Sequence, residues 1–280
     1  MTEQQLTPTS PVDRTRSRSQ VAPGIPAATV AVAVLAGAFF VVPFIALLVG
    51  INWSDLPELL TSQAALDALW LSLRTATVST LLCTLLGVPL ALVLARTTFP
   101  GRNLMRSVVL VPLVIPPVVA GIVLTEAFGR RGLIGEHLSA LGIEIAFTTA
   151  AVVIAQTFVS LPFMVTSLES HLGSSPAHYE QVAQSLGASK WRTFSSITLP
   201  LLRPGLISGA FLTFARALGE FGATITFAGS LQGTTRTMPL EIYLARETDP
   251  DAAVALSLVL IVVAVLVIGI AYFRPHARTP

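Results

Sequence analysis

Apolar residues in this chain fall into six long runs, at about 27–51, 69–95, 104–128, 146–168, 204–228 and 252–273. Each is long enough for a helix rising ~1.5 Å per residue to cross a hydrocarbon layer of ~30 Å. Charges are absent from long windows, as hydrocarbon demands. The pattern predicts an all-α membrane protein with six transmembrane helices. The longest connection between them is a largely polar segment from about Glu169 to Arg203. Adjacent helices need only a few linking residues, so a segment of this length serves a contact in the aqueous phase.

Composition sharpens this picture. The apolar class makes up 53% of the chain and charged residues 11%, well below the charged share of a soluble domain. Basic residues are strongly biased to one side of the spans. Arg14, Arg16, Arg18, Arg96, Arg102, Arg106, Lys190, Arg192, Arg203, Arg274 and Arg278 flank one face; Arg130, Arg131, Arg236 and Arg246 flank the other, with most of the acids. That bias predicts cytoplasmic N and C termini and a cytoplasmic 169–203 segment. Residues 1–25, rich in Thr, Ser, Pro and Gln, read as a disordered tail. The run from Pro26 to Ile51 exceeds a signal-peptide core and reads as an uncleaved first span. The single cysteine, Cys83, lies in an apolar run and reads as a structural thiol.

Within the long segment, Ser175 and Pro176 form a helix start signal. Tyr179, Val182, Ala183 and Leu186 then make one apolar stripe, which Gly187 closes with a left-handed cap. A second short helix from Ser189 presents Trp191, Phe194 and Ile197, and Leu199-Pro200 ends it ahead of the fifth span. Two readings fit this knob: an amphipathic element resting on membrane lipid, or a docking surface for a partner protein. The only lysine, Lys190, follows Ser189, so the chain has no phosphate-binding loop. Nucleotide energy would come from another chain.

The fifth run carries Gly205 and Gly209 in G-x-x-x-G spacing, a close-packing pattern. Arg216 and Glu220 lie four apart, on one helical face. At this depth they either neutralise each other or line a water-filled route, where the carboxylate tempers the hold of the guanidinium on an anion. In the third run Pro112, Pro116 and Pro117 predict a kink that serves packing. Glu126 and Arg74 lie near outer span ends, where snorkelling accounts for them. His137, His171, His178 and His276 lie in loops or tail without metal-ligand spacing. No basic-aromatic face suggests nucleic acid, and nothing resembles a catalytic centre.

Gly187, nine residues, then Ile197-Thr198-Leu199-Pro200 resembles the cytoplasmic signature of bacterial ABC-importer permeases, in which E-A-A precedes the glycine. The E-A-A positions hold Gln181, Val182 and Ala183, with Glu180 one place early. The stretch Phe214-Ala215-Arg216-Ala217-Leu218-Gly219-Glu220-Phe221-Gly222-Ala223-Thr224, followed by Phe227-Ala228-Gly229 and Thr235-Arg236-Thr237-Met238-Pro239-Leu240-Glu241-Ile242-Tyr243, resembles molybdate permeases, with sulfate permeases as close relatives. Ser72-Leu73-Arg74-Thr75-Ala76, Leu94-Ala95-Arg96 and Phe99-Pro100-Gly101-Arg102 fit the same group, so the likeness covers roughly residues 65–270.

The resemblance implies a type I ABC-importer permease fold over 26–274, with a coupling segment at 174–200 and tails at 1–25 and 275–280. It implies a multi-pass subunit of a prokaryotic cell membrane that translocates molybdate or tungstate by alternating access. The expected partners are a second copy of the chain, a cytoplasmic ABC ATPase dimer that binds ATP and Mg, and an external substrate-binding protein; no cofactor is expected in this chain. ATPase coupling would fall to Tyr179, Glu180, Gln181, Val182, Ala183, Leu186, Gly187, Ala188, Trp191, Ile197 and Pro200. The pathway would be lined by Arg216, Glu220, Thr224, Pro116 and Pro117. The alternatives are a sulfate/thiosulfate permease subunit and a proton-coupled secondary anion transporter, for which an inverted repeat is not seen.

Overall fold

The computed structural model describes residues 25–174 and 178–272. Both tails, apart from Ile25, and the helix start expected at Ser175-Pro176 lie outside the described residues. Every described element is a helix or turn. The first, α1 (Ala27–Val49), is apolar along its 23 residues and belongs to a unit ending at Ala46.

The body begins with α2 (Leu56–Thr61) and α3 (Gln63–Arg96). α3 starts before the expected residue 69 because Ser62 caps it, its Oγ accepting the Ala65 N–H at 3.3 Å. The third apolar run, expected as one helix, is two. α4 (Arg102–Leu110) continues through a 3₁₀ turn at Val111–Leu113, and α5 (Pro117–Phe128) leaves at 117° to it. The cause is local: a residue before proline avoids the helical region, and both Ile115 and Pro116 stand there. Pro116 is extended, with ψ 140°, and Pro117 opens the new helix.

After α6 (Gly135–Ala140), α7 (Thr149–Ser174) runs past the expected end at 168. α8 (His178–Ser185) and α9 (Lys190–Thr193) follow; α9 passes through a π turn at Phe194–Thr198 into α10 (Leu199–Leu218). The polar segment is therefore mostly helical, with the two short helices expected there. Leu199-Pro200 does not end a helix, as expected, but stands inside the run Lys190–Leu218. Proline clashes with the carbonyl four residues before it. The widened turn, in which the Leu199 N–H donates to the Phe194 carbonyl, carries the chain through that position.

The fifth run is also divided. α10 stops at Leu218, and α11 (Gly222–Ala228) begins after a break at 219–221. α12 (Met238–Thr248) and α13 (Pro250–Tyr272) complete the chain. Among the described residues five helices are long and apolar enough to span a membrane, and six if the bent α4–α5 pair counts as one.

α7 is the hub, packed on α3, α10 and α11. Small residues set the spacing. A Cβ at Gly87 would fall 2.8 Å from Met164 Cγ, and one at Gly209 would fall 2.9 Å from Met164 Sδ, so one methionine fills the seam between three helices. Gly205 likewise admits the His171 ring, at 2.8 Å. The G-x-x-x-G pair is thus a helix-packing device. His171 is not the loop residue expected; it is half-buried in α7, with Nδ1 2.9 Å from the Ser167 carbonyl oxygen. Cys83 is fully buried between α3 and α7, its Sγ 3.5 Å from the Thr157 carbonyl oxygen.

Candidate functional site: the knob and the two broken helices

α8 ends as its chemistry dictates. Gly187 adopts φ +86°, a conformation that costs side-chain-bearing residues strain, and the Ala188 N–H reaches back to the Ala183 carbonyl at 3.0 Å. Ser189 caps α9, its Oγ accepting the Arg192 N–H at 3.3 Å. Tyr179, Val182, Leu186 and Trp191 are exposed, while Ala183, Ala188 and Ile197 are half-buried. Tyr179, Val182, Ala183 and Leu186 face Ile197 and Pro200 across an apolar groove of about 730 Å³. Gln181 is exposed. The knob is a socket as well as a ridge: it can receive an apolar side chain as well as insert one.

Glu180 is turned inward. Its Oε2 lies 3.3 Å from Arg96 Nε at the end of α3, and its Oε1 accepts the Thr198 hydroxyl at 3.1 Å. Arg96 and Thr198 were not among the sequence candidates. Arg96 is 84 positions from its carboxylate, and no periodicity reports such a contact.

In the other region the two broken helices meet. Gly222 opens α11 directly against Pro117 at the start of α5, where a Cβ would fall 2.6 Å from Pro117 Cβ. Pro116 is exposed beside them. Arg216 lies in the last turn of α10; Glu220 lies past the end of that helix, in the break, rather than on one continuous face as expected. The pair still forms, Arg216 Nη1 to Glu220 Oε2 at 2.7 Å, because the chain turns tightly there. Glu220 Oε1 accepts the Ala223 N–H at 2.8 Å. The carboxylate is 1% exposed and committed at both oxygens, whereas the Arg216 side chain is 28% exposed.

Thr224 is buried, and its hydroxyl finds no protein partner among the described residues. Gln156 Nε2, Ser160 Oγ and Thr213 Oγ1 share that condition. Polar residues four apart within the apolar α7 run were the signal for the first two. Glu126 and Arg74 are both exposed. Among the described residues no cluster of three His, Cys, Asp or Glu could hold a metal. The arrangement offers groups that bind and elements that hinge.

Among the described residues, five or six span-length apolar stretches, a bend at Pro116, a break after Leu218 and a capped helical knob make a multi-pass membrane fold. The chain belongs to the family described as "Binding-protein-dependent transport system inner membrane component", which matches residues 87–278. It is 56% identical over 248 residues to the molybdenum transport system permease protein ModB of Mycobacterium tuberculosis, covering 88% of this chain and 92% of that one. It is 34% identical over 206 residues to the sulfate transport system permease protein CysT of Escherichia coli, covering 73% and 74%. Its fold matches a chain of a bacterial ABC transporter involved in the import of the acidic polysaccharide alginate. The TM-score is 0.70 at 19% identity, over 87% of this chain and 92% of that one. The fold is that of a type I ABC-importer permease, and the protein is a multi-pass component of a prokaryotic plasma membrane.

Proposed function

We propose that this chain is the permease subunit of an ATP-driven molybdate importer. The observation that carries the reading is the 56% identity, over nearly the whole length of both chains, to a molybdenum transport permease, against 34% to a sulfate permease. Two copies would enclose the route, with the basic-rich face and the knob in the cytoplasm. The knob's exposed stripe and groove would dock a separate ATPase, which would bind ATP and Mg, and an external binding protein would deliver the oxyanion. ATP-driven closure of the ATPase pair would move the two knobs and turn the cavity outward; hydrolysis would reset it. Tungstate, an oxyanion of like charge and shape, would share the route.

In this role Glu220 acts on Arg216 rather than on substrate. It holds the guanidinium at the break and leaves only part of its charge for a passing anion. Weak, partly offset attraction suits a route that must release what it admits.

The test is reconstitution of this chain with its ATPase and binding protein in liposomes. The expected result is ATP-dependent uptake of labelled molybdate, competed by tungstate far better than by sulfate. Sulfate competing equally would favour a sulfate permease. Uptake that needs no ATPase and collapses with the proton gradient would overturn the reading.

A further inference from the structure

The carboxylate of Glu180 joins four elements. Oε2 pairs with Arg96 on α3, and Oε1 accepts from Thr198 in the π turn before α10. Arg96 Nη1 also donates to the Leu172 carbonyl at 3.3 Å, in the last turn of α7. Glu180 itself belongs to α8, whose outward stripe of Tyr179, Val182 and Leu186 is exposed. The side chains of Arg96 and Glu180 are mostly shielded, which strengthens their attraction over that of a surface pair.

The α8 backbone lies against α9 and the π turn, so Glu180 supplies its polar bond to α3. α3 is a single helix of 34 residues with further polar ties along it: Ser79 reaches the Val153 carbonyl on α7, and nine residues from the helix start Ser72 reaches α12. There the Met238 N–H donates to Ser72 Oγ at 2.7 Å, joining α3 to the start of α12. The Arg96 and Ser72 ties are 24 residues apart, about 36 Å along the helix. A displacement of α8 that pulls on Arg96 therefore bears on a helix that is tied further along to α7 and to α12. The same displacement loads Thr198, where a π turn lets the helix adjust its winding.

We infer that Glu180 is the strut that converts movement of the knob into movement of α3 and α10. It is a positioning residue for coupling, distinct from the exposed surface that docks. The inference rests on the proposal that the knob docks an ATPase. It explains why the acid stands one place before the family's glutamate position: at 180 it faces the chain's own spans, while Gln181 faces outward.

The experiment uses the whole reconstituted complex and measures anion transported per ATP hydrolysed, ATPase binding and thermal stability. In Glu180→Gln and in Arg96→Gln, ATPase binding and hydrolysis should persist while transport per ATP falls about threefold or more. The exchange Arg96→Glu with Glu180→Arg should recover at least half of the loss. Glu180→Gln coupling as tightly as the wild type would overturn the inference alone, as would loss of ATPase binding that the exchange does not repair. A wild-type complex that transports without ATP would overturn the functional proposal and this inference together.

Discussion

Glu220 holds Arg216 with one oxygen, at 2.7 Å, and the Ala223 amide with the other, at 2.8 Å, so a single buried carboxylate closes the gap between α10 and α11. Removing either partner strands the other, and the stranded group fares worse the less water it sees. Arg216→Ala should therefore be more damaging than Glu220→Ala, because Glu220 is 1% and Arg216 28% exposed. The expected cost of Arg216→Ala is about 3 kcal/mol, and the double variant should lose less than the sum. Thermal unfolding in detergent checks the order; equal costs, or additive ones, would remove the pair from this role.

The seam between α5 and α11 tolerates no added methyl. A Cβ at Gly222 meets Pro117 Cβ at 2.6 Å, and one at Gly121 meets Thr226 Cβ at 2.6 Å and the Ala223 carbonyl oxygen at 2.9 Å. Gly121→Ala and Gly222→Ala should each cost about 1–3 kcal/mol by overpacking. Gly173→Ala, with nothing within 4 Å, is the control and should be neutral or stabilising. Melting temperatures of the three variants separate these outcomes.

Gly187 presents the opposite case: ample space but a left-handed backbone, φ +86°. Gly187→Ala should cost about 1–2 kcal/mol, confined to the end of α8, and Gly187→Asn should cost less. Hydrogen exchange reports it: amides at 185–188 should lose protection while those of α7 and α10 keep theirs.

Cys83 is fully buried, so a maleimide should leave the folded protein unlabelled and react at one site after unfolding. Cys83→Ser should fold, because a hydroxyl there can donate to the Thr157 carbonyl that Sγ now approaches at 3.5 Å. Fast labelling of the folded chain would contradict the packing of α3 on α7.

What could be read from residues alone was local. Gly187 and Ser189 announced their caps because each acts on backbone groups within a few positions, and the structure places both as expected. Pro116-Pro117 announced an interruption, but not that it reaches 117°, which packing against Gly222 supports. The break at 219–221 is not legible in the sequence, because an apolar, glycine-bearing stretch reads equally as continuous helix, and in a continuous helix Glu220 shares a face with Arg216 instead of accepting from the Ala223 amide. Pro200 looked like a terminator because the remedy, a wider turn, lies in the residues before it. Arg96 with Glu180 is a contact between distant parts of the chain, and one sequence carries no record of it.

The π turn at Phe194–Thr198 has a genetic corollary. It holds one residue more than the α-helical turn it replaces and takes that residue up locally, so α9 before it and α10 after it keep nearly the register of a continuous helix. A single-codon deletion within the turn would remove the extra residue with little rotation of Trp191 about the axis, and would instead bring Pro200 against the carbonyl four residues before it. The same deletion further along α10, where the winding is regular, would turn everything before it by about 100° about the axis. The turn is thus the place where this helix absorbs a residue without re-aiming the knob, and a deletion there should show as lost stability at Pro200 rather than as a changed direction.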